Sequence, residues 1–409
     1  MQSPPRRSDL LRACARLGMS LVLGAALGKA GFGAIENPAS VTFQLPGART
    51  AATYVGDAAC ASCHADKAAT FRATAHAQTS QLATAESIHG RFAEGANVMR
   101  TVNPDLYFVM EAKDHAFWQT AIKRTSATQV MTRSEQIDIV IGSGRKGQTY
   151  LYWNGDDVFQ LPVSYWTSIN DWVNSPGYRD GTANFERPIG PRCFECHASR
   201  FESRAPPENR FDRASMVLGI SCEKCHGPGS EHVARHQTTG VVATGDSAII
   251  NPARLSRERR MDVCGLCHAG SGTSLTPALS YVPGDVLANH LLFPPPAPDA
   301  PADPHANQIK LLSDSRCFRE STTLTCNTCH DVHQQQRDAT AFVRHCLECH
   351  QVTSCRLFPE RGQAIATGCV ECHMPLQQTQ KIVSSARGLT MQPKIRSHRI
   401  AIYPKEGGP

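Results

Sequence analysis

Cys222-Glu223-Lys224-Cys225-His226 carries the pattern on which the reading of this chain turns, and the pattern recurs six more times. The other copies are Cys60-Ala61-Ser62-Cys63-His64, Cys193-Phe194-Glu195-Cys196-His197, Cys264-Gly265-Leu266-Cys267-His268, Cys326-Asn327-Thr328-Cys329-His330, Cys346-Leu347-Glu348-Cys349-His350 and Cys369-Val370-Glu371-Cys372-His373. Fourteen of the 17 cysteines fall in these tracts, whereas the chain's Cys and His content predicts only about 0.03 chance matches. C-x-x-C-H is the attachment pattern of c-type haem: two thiols form thioethers to the vinyl groups and the adjacent imidazole reaches the iron. Numbered in chain order, the tracts are sites 1 to 7. The expectation is seven covalently attached haems, with His64, His197, His226, His268, His330, His350 and His373 as proximal ligands.

Two other chemistries use paired cysteines. Zinc takes two C-x-x-C pairs into one four-coordinate site, but it does not require a histidine directly after every second cysteine. Redox dithiols share the spacing, and seven of them, each followed by His, would serve no purpose. The composition agrees with haem. With 41% hydrophobic and 19% charged residues the chain is neither disordered nor collagen-like, yet only 7% of it is aromatic. From site 2 to site 7 the tracts are so dense that porphyrins must supply much of the buried apolar area, with short helices and loops wrapped around them.

The N-terminus carries an export plan. Arg6, Arg7, Arg12 and Arg16 precede an apolar run from Leu17 to Leu27, and Gly28-Lys29-Ala30 supplies small residues for cleavage. Residues 1–30 therefore read as a signal peptide, and the mature protein as periplasmic or otherwise extracytoplasmic. The run is short for a membrane span, and Cys14 lies before it, where a lipoprotein cysteine does not belong. Residues 1–30 hold five cations and one anion, so their loss takes the formal charge from +6 to +2. Fourteen haem propionates, partly offset by ferric iron, then make the holoprotein acidic, and no basic footprint for nucleic acid remains.

The expected organisation is an N-terminal segment with haem 1 (31–97), an antiparallel β insertion (98–165) and a haem block with haems 2 to 7 (166–409). Strand candidates in the insertion are Leu106 to Met110, Phe117 to Ile122, Ile137 to Ile141, Tyr150 to Trp153 and Val158 to Leu161, with Asn154-Gly155 as a hairpin turn. Trp166, Trp172 and Tyr178 are expected to seat this sheet against the haem block. Gly142-Ser143-Gly144-Arg145-Lys146-Gly147 satisfies G-x-G-x-x-G, but it joins two strand candidates and reads as a turn rather than a dinucleotide loop. Phe293 to Pro304 is a proline-rich, stiff connection.

The far side of each iron separates carrier from catalyst. Histidines near one tract cannot reach around their own porphyrin, so His232, His333 and His345 are expected to ligate neighbouring haems, joined by His76 and His398. His290, His305 and His89 are weaker candidates, His115 reads as an ordinary polar side chain, and His236, one turn after His232, does not share its site. Met374 reads as packing. Cys317 and Cys355 are left over, and in an oxidising compartment a disulfide is the natural reading.

Tyr54-Val55-Gly56, Gly219-Ile220-Ser221 before Cys222, Gly227-Pro228-Gly229 after His226, Asp331-Val332-His333 after His330, and Met374-Pro375 followed by His398 resemble a known group. It is the multihaem cytochrome c superfamily of hydroxylamine oxidoreductase, pentahaem nitrite reductase and the tetrahaem electron acceptor of ammonia oxidisers. The resemblance spans roughly 54–76 and 193–398 and implies a mainly helical fold, packed haem pairs and remote histidines as sixth ligands. All seven tracts end in His, unlike the C-x-x-C-K of the nitrite reductases. An eighth haem and an identifiable crosslinking tyrosine, as in hydroxylamine oxidoreductase, are also missing. The resemblance is therefore nearest the electron-carrying branch. The expected fold class is a mainly α multihaem cytochrome c with little regular structure around packed haems, plus the small antiparallel β insertion. The expected function is electron carriage between a redox protein donor and acceptor, without a membrane span in the mature chain and with an oligomer or conduit complex left open. The alternative is a multihaem oxidoreductase acting on a small nitrogen or sulfur species at one open iron.

Overall fold

The computed structural model describes residues 52–239, 248–294 and 302–403. The expected signal peptide, Cys14, the start of the N-terminal segment and 295–301 of the proline-rich connection lie outside the described residues. Between sites 1 and 2 the chain is built of antiparallel sheet. In the strand Leu106–Lys113, Leu106, Phe108 and Met110 are buried while their neighbours are not, the period of two that turns one sheet face inward. This strand pairs with Val98–Arg100 on one side and Ala116–Arg124 on the other, and Val130–Ile137 completes a four-stranded meander. The tight turn after Lys113 places Asp114 and His115 at φ 53° and 60°, as a two-residue hairpin loop demands; His115 is an exposed turn residue.

A second sheet orders Ser80–Leu82, Ile139–Ile141, Thr149–Asn154, Asp157–Gln160 and Arg187–Pro188. Asn154 pairs with Asp157 across a loop of Gly155 and Asp156, with Gly155 at φ 61°. The Gly142–Gly147 segment joins two adjacent antiparallel strands. A side chain on Gly144 would run into the His89 ring, so these glycines serve a packed turn. Between the sheets lies a side-chain core of Phe108, Met110, Tyr150, Tyr152, Trp172 and their neighbours. The buried Gln119 amide stitches it, donating to Val163 O at 2.7 Å and accepting from Val163 N at 3.1 Å.

Trp172 belongs to that core, its indole N–H reaching Ala96 O at 3.0 Å, and the Tyr178 hydroxyl donates to Gln160 O at 2.6 Å. The seat against the haem tracts is made by other residues. Ile139, Leu151 and Val158 pack with Ile189, Phe194, Phe201 and Phe211, and Phe194 lies inside the site 2 tract. Its ring meets Phe211 edge-on, with centroids 5.2 Å apart, a favoured aromatic geometry.

Helices are short. The longest described is Arg257–His268, with 12 residues, and several tract helices have only four or five. The expectation of a mainly α fold is thereby corrected: 28% of the described residues are helical and 26% are in strands. A tract needs one helical turn to bring Cys, Cys and His together, so each nucleates a helix that has no further reason to continue. Strands also enter the haem block, as Ala198–Ser203 with Phe211–Leu218 and as Leu376–Gln378 with Lys394–Arg396. Among the described residues no helix is long and apolar enough to cross a membrane.

Two substitutions test this packing. Phe211→Ala removes a fully buried ring and should destabilise the holoprotein by about 3–5 kcal/mol, read as a lower denaturant midpoint. Gly219 has φ 72°, and a Cβ there would stand 2.2 Å from Ala77 O. Gly219→Ala should therefore cost about 2 kcal/mol or more, by the same measurement.

Candidate haem sites

Each tract folds so that the histidine stacks one helical turn beyond the first cysteine. The amides of His64, His330 and His350 donate to the carbonyls of Cys60, Cys326 and Cys346, each at 2.9 Å. This i to i−4 bond places both thiols and the imidazole on one face of the turn.

Four of the proximal imidazoles are oriented through Nδ1. His226 Nδ1 donates to Ile250 O at 2.8 Å and His373 Nδ1 to Ala401 O at 2.8 Å. His197 Nδ1 meets Thr79 Oγ1 at 3.0 Å, and His268 Nδ1 faces Gln308 Oε1 at 3.4 Å. A carbonyl on Nδ1–H fixes the tautomer whose Nε2 lone pair is free for a metal.

Four proximal histidines face a second imidazole from a remote segment. The ring centroids are 6.4 Å apart for His64 and His232, 6.1 Å for His226 and His333, 6.1 Å for His268 and His76, and 6.2 Å for His330 and His398. An iron bonded on both faces by imidazole nitrogens at about 2 Å, each about 1.1 Å from its ring centre, puts the centroids about 6.2 Å apart. Direct ring stacking would be closer, so the residues present fit an iron between them. Burial, joined by nearby His268 and His330, lowers His76 to about 4, and burial with His330 beside it lowers His398 to about 4. Both are neutral at pH 7, the ligating form. His236 packs edge-on against His232, with centroids 4.6 Å apart.

The remaining candidates divide. His345 has no such ring partner among the described residues; its Nδ1 lies 3.2 Å from Glu348 Oε1. It lines a cavity of about 280 Å³ with Cys329, His330, His333 and Arg344. His305, a weaker candidate from sequence, stands close enough to His197 to disfavour its protonation, and its amide is held by Asp303 at 2.8 Å. Buried His290 shares Nδ1 with the hydroxyls of Thr276 and Ser280 at 3.1 and 3.2 Å, and His89 is exposed against the glycine turn. Cys317 and Cys355 are both partly buried and unbridged in this structure. Among the described residues no three or more His, Cys, Asp or Glu side chains converge as a metal cluster, which the zinc reading requires.

Two carboxylates inside the tracts were not singled out by sequence. Glu223 is 3% exposed and accepts from Val55 N at 2.9 Å, Gly56 N at 2.8 Å and Gly229 N at 2.9 Å. It clamps the segment before site 1 onto site 3, where Asp57 also accepts from Cys222 N at 3.0 Å. Glu195 is equally buried; it pairs with Arg192 at 2.6 Å and accepts from Leu279 N at 2.9 Å. Buried carboxylates are stable only with such partners.

The model of the family described as cytochrome c554 and c-prime matches residues 59–104 and 177–227, which include sites 1, 2 and 3. Among solved structures, the outer cell wall cytochrome OcwA aligns with a TM-score of 0.50 at 18% identity, over 85% of this chain and 79% of that one. The undecahaem cytochrome from the S-layer of Carboxydothermus ferrireducens aligns with a TM-score of 0.39 at 16% identity, over 79% of this chain and 51% of that one. No curated protein sequence matches. The likeness to OcwA is one of fold, and the family match falls on sites 1, 2 and 3, where it supports covalently bound c-type haem.

Proposed function

We propose that this chain is an extracytoplasmic heptahaem c-type cytochrome that carries electrons between a redox protein donor and acceptor. The observation that carries this reading is the set of four imidazole pairs at iron-spanning distance, which leaves those four irons no free position for substrate. When bound, the haems supply one-electron ferric/ferrous couples. The chain's own residues do the rest. Fourteen tract cysteines would hold the groups covalently. His64 with His232, His226 with His333, His268 with His76 and His330 with His398 would ligate four irons, and His197, His350 and His373 would be the proximal ligands at sites 2, 6 and 7. Backbone and side-chain acceptors on Nδ1 hold the rings in place, limiting reorganisation when the charge on iron changes.

The tracts also sit close to one another. Asp57, in the helix that carries Cys60 of site 1, accepts from Cys222 N of site 3 at 3.0 Å, and Cys196 Sγ of site 2 lies 3.8 Å from Leu266 O of site 4. In the holoprotein the tract sulfurs are thioethers, and the proximity of the tracts supports porphyrin edges near enough for electron tunnelling. The outer cell wall location of OcwA agrees with an exported chain.

Mass spectrometry of the purified holoprotein should show seven attached haems, and Cys193→Ser with Cys196→Ser should reduce the count to six. The oxidised protein should be low-spin at no fewer than four irons and indifferent there to cyanide or nitrite. A dominant high-spin ferric signal altered by those ligands would instead favour an oxidoreductase with open irons. Glu223→Ala should leave three amides without an acceptor and lower stability by about 2–4 kcal/mol, seen as a lower denaturant midpoint with the haem count unchanged.

A further inference from the structure

Building on the haem-array reading above, we propose that the helix Arg257–His268 is the junction of the array, and that the crossed His76–His268 pair makes site 4 its spectroscopically distinct member. The helix meets different tracts on its two sides. On one side Arg192, one residue before Cys193 of site 2, donates to Leu266 O at 3.0 Å, and Cys196 Sγ approaches the same carbonyl at 3.8 Å. On the other, Cys326 Sγ of site 5 lies 3.8 Å from Met261 Sδ, one turn before Cys264. Site 3 is tied to site 4 through Ile220, two residues before Cys222, whose amide donates to His76 O at 3.0 Å.

The other tracts form arms. Site 1 touches site 3 where Asp57 accepts from Cys222 N at 3.0 Å. The helix Ala339–Leu347 of site 6 packs against the helix Cys326–Cys329 of site 5 and the helix Cys369–His373 of site 7. The order is therefore 1–3–4–5–6–7, with site 2 branching at site 4. A linear order by sequence would not produce this, because site 2 precedes site 3 in the chain but meets site 4 in space.

The same site has a different ligand geometry. The imidazole planes cross at 77° for His76 and His268, against 14°, 27° and 29° for the other three pairs. Parallel rings donate into one iron d-orbital of π symmetry and split it from its partner. Crossed rings treat both alike, leave them nearly degenerate, and push the largest g value of the low-spin ferric state upward. Site 4 is thus expected to give a large-g signal separable from the near-parallel sites. His76 is held by its backbone, which accepts from Ile220 N at 3.0 Å, so its side chain can be changed without breaking that anchor.

The test is low-temperature EPR of oxidised wild-type, His76→Phe and His398→Phe holoproteins, each with its haem count measured by mass. The wild type should show a large-g signal of about one-seventh of the iron. His76→Phe should lose it and gain a high-spin signal of equal size, while His398→Phe should keep it. After substoichiometric reduction, electron redistribution should acquire a slow phase in His76→Phe, because a junction iron stripped of one imidazole traps electrons between the arms. In His232→Phe, altered at the end of an arm, exchange among the other sites should stay fast. With seven haems attached, a large-g signal that survives His76→Phe, or redistribution as fast as wild type in that variant, would overturn the junction and leave the carrier reading standing. Fewer than seven haems in the wild type would overturn the heptahaem reading itself.

Discussion

An iron held between two imidazoles allows its ligands almost no latitude: the ring centres must stand about 6 Å apart with the nitrogens facing. Much of this structure comes from meeting that requirement with residues far apart in sequence. His64 is matched by His232, His76 by His268, His226 by His333 and His330 by His398. Each match closes a loop of dozens of residues or more. The ordinary devices of a fold, strands, turns and buried polar bonds, serve here to bring the second histidine to its place.

The crossing beside site 4 shows how. Gly219 passes so close to Ala77 that only glycine fits. Its amide donates to Ser80 Oγ at 2.9 Å and its carbonyl accepts from Ser199 Oγ at 2.7 Å, while Ser80 Oγ donates to His197 O. The approach to site 3, the end of site 2 and the segment bearing His76 are thus bound into one knot. Glu223 does the same between sites 1 and 3 through three backbone amides. Neither device is hydrophobic, which suits a region where porphyrin, rather than side chains, supplies the apolar interior.

The sheets between sites 1 and 2 obey the opposite rule. Their core is made of side chains, with Trp172, Tyr150 and Phe108 fully buried, and it meets the tracts through Phe194, Phe201 and Phe211. Two kinds of interior therefore abut in one chain. The expectation of a mainly helical fold fails at the connections between tracts. A C-x-x-C-H tract fixes one turn of helix and carries no information about the residues beyond it, and several connections have enough alternating or β-branched residues to pair as strands.

The sequence by itself made the cofactor chemistry and its candidate attachment points legible, because the pattern for a thioether pair with an adjacent imidazole lies within five consecutive residues. The strand positions around Leu106, Phe117 and Tyr150 and the glycine turn at Gly142–Gly147 were legible for the same reason, since local periodicity and turn chemistry are short-range properties. His76, His232, His333 and His398 stood out as candidates, but their partners did not. His345 was an equally strong candidate, and its neighbour in the structure is Glu348, 3.2 Å from Nδ1. Which imidazole faces which tract, the crossed planes at site 4, and the approach of Cys196 to Leu266 and of Cys326 to Met261 are decided by how remote segments cross. That depends on close approaches such as Gly219 at Ala77, which one residue type in a linear string does not reveal; only the tertiary structure settles them.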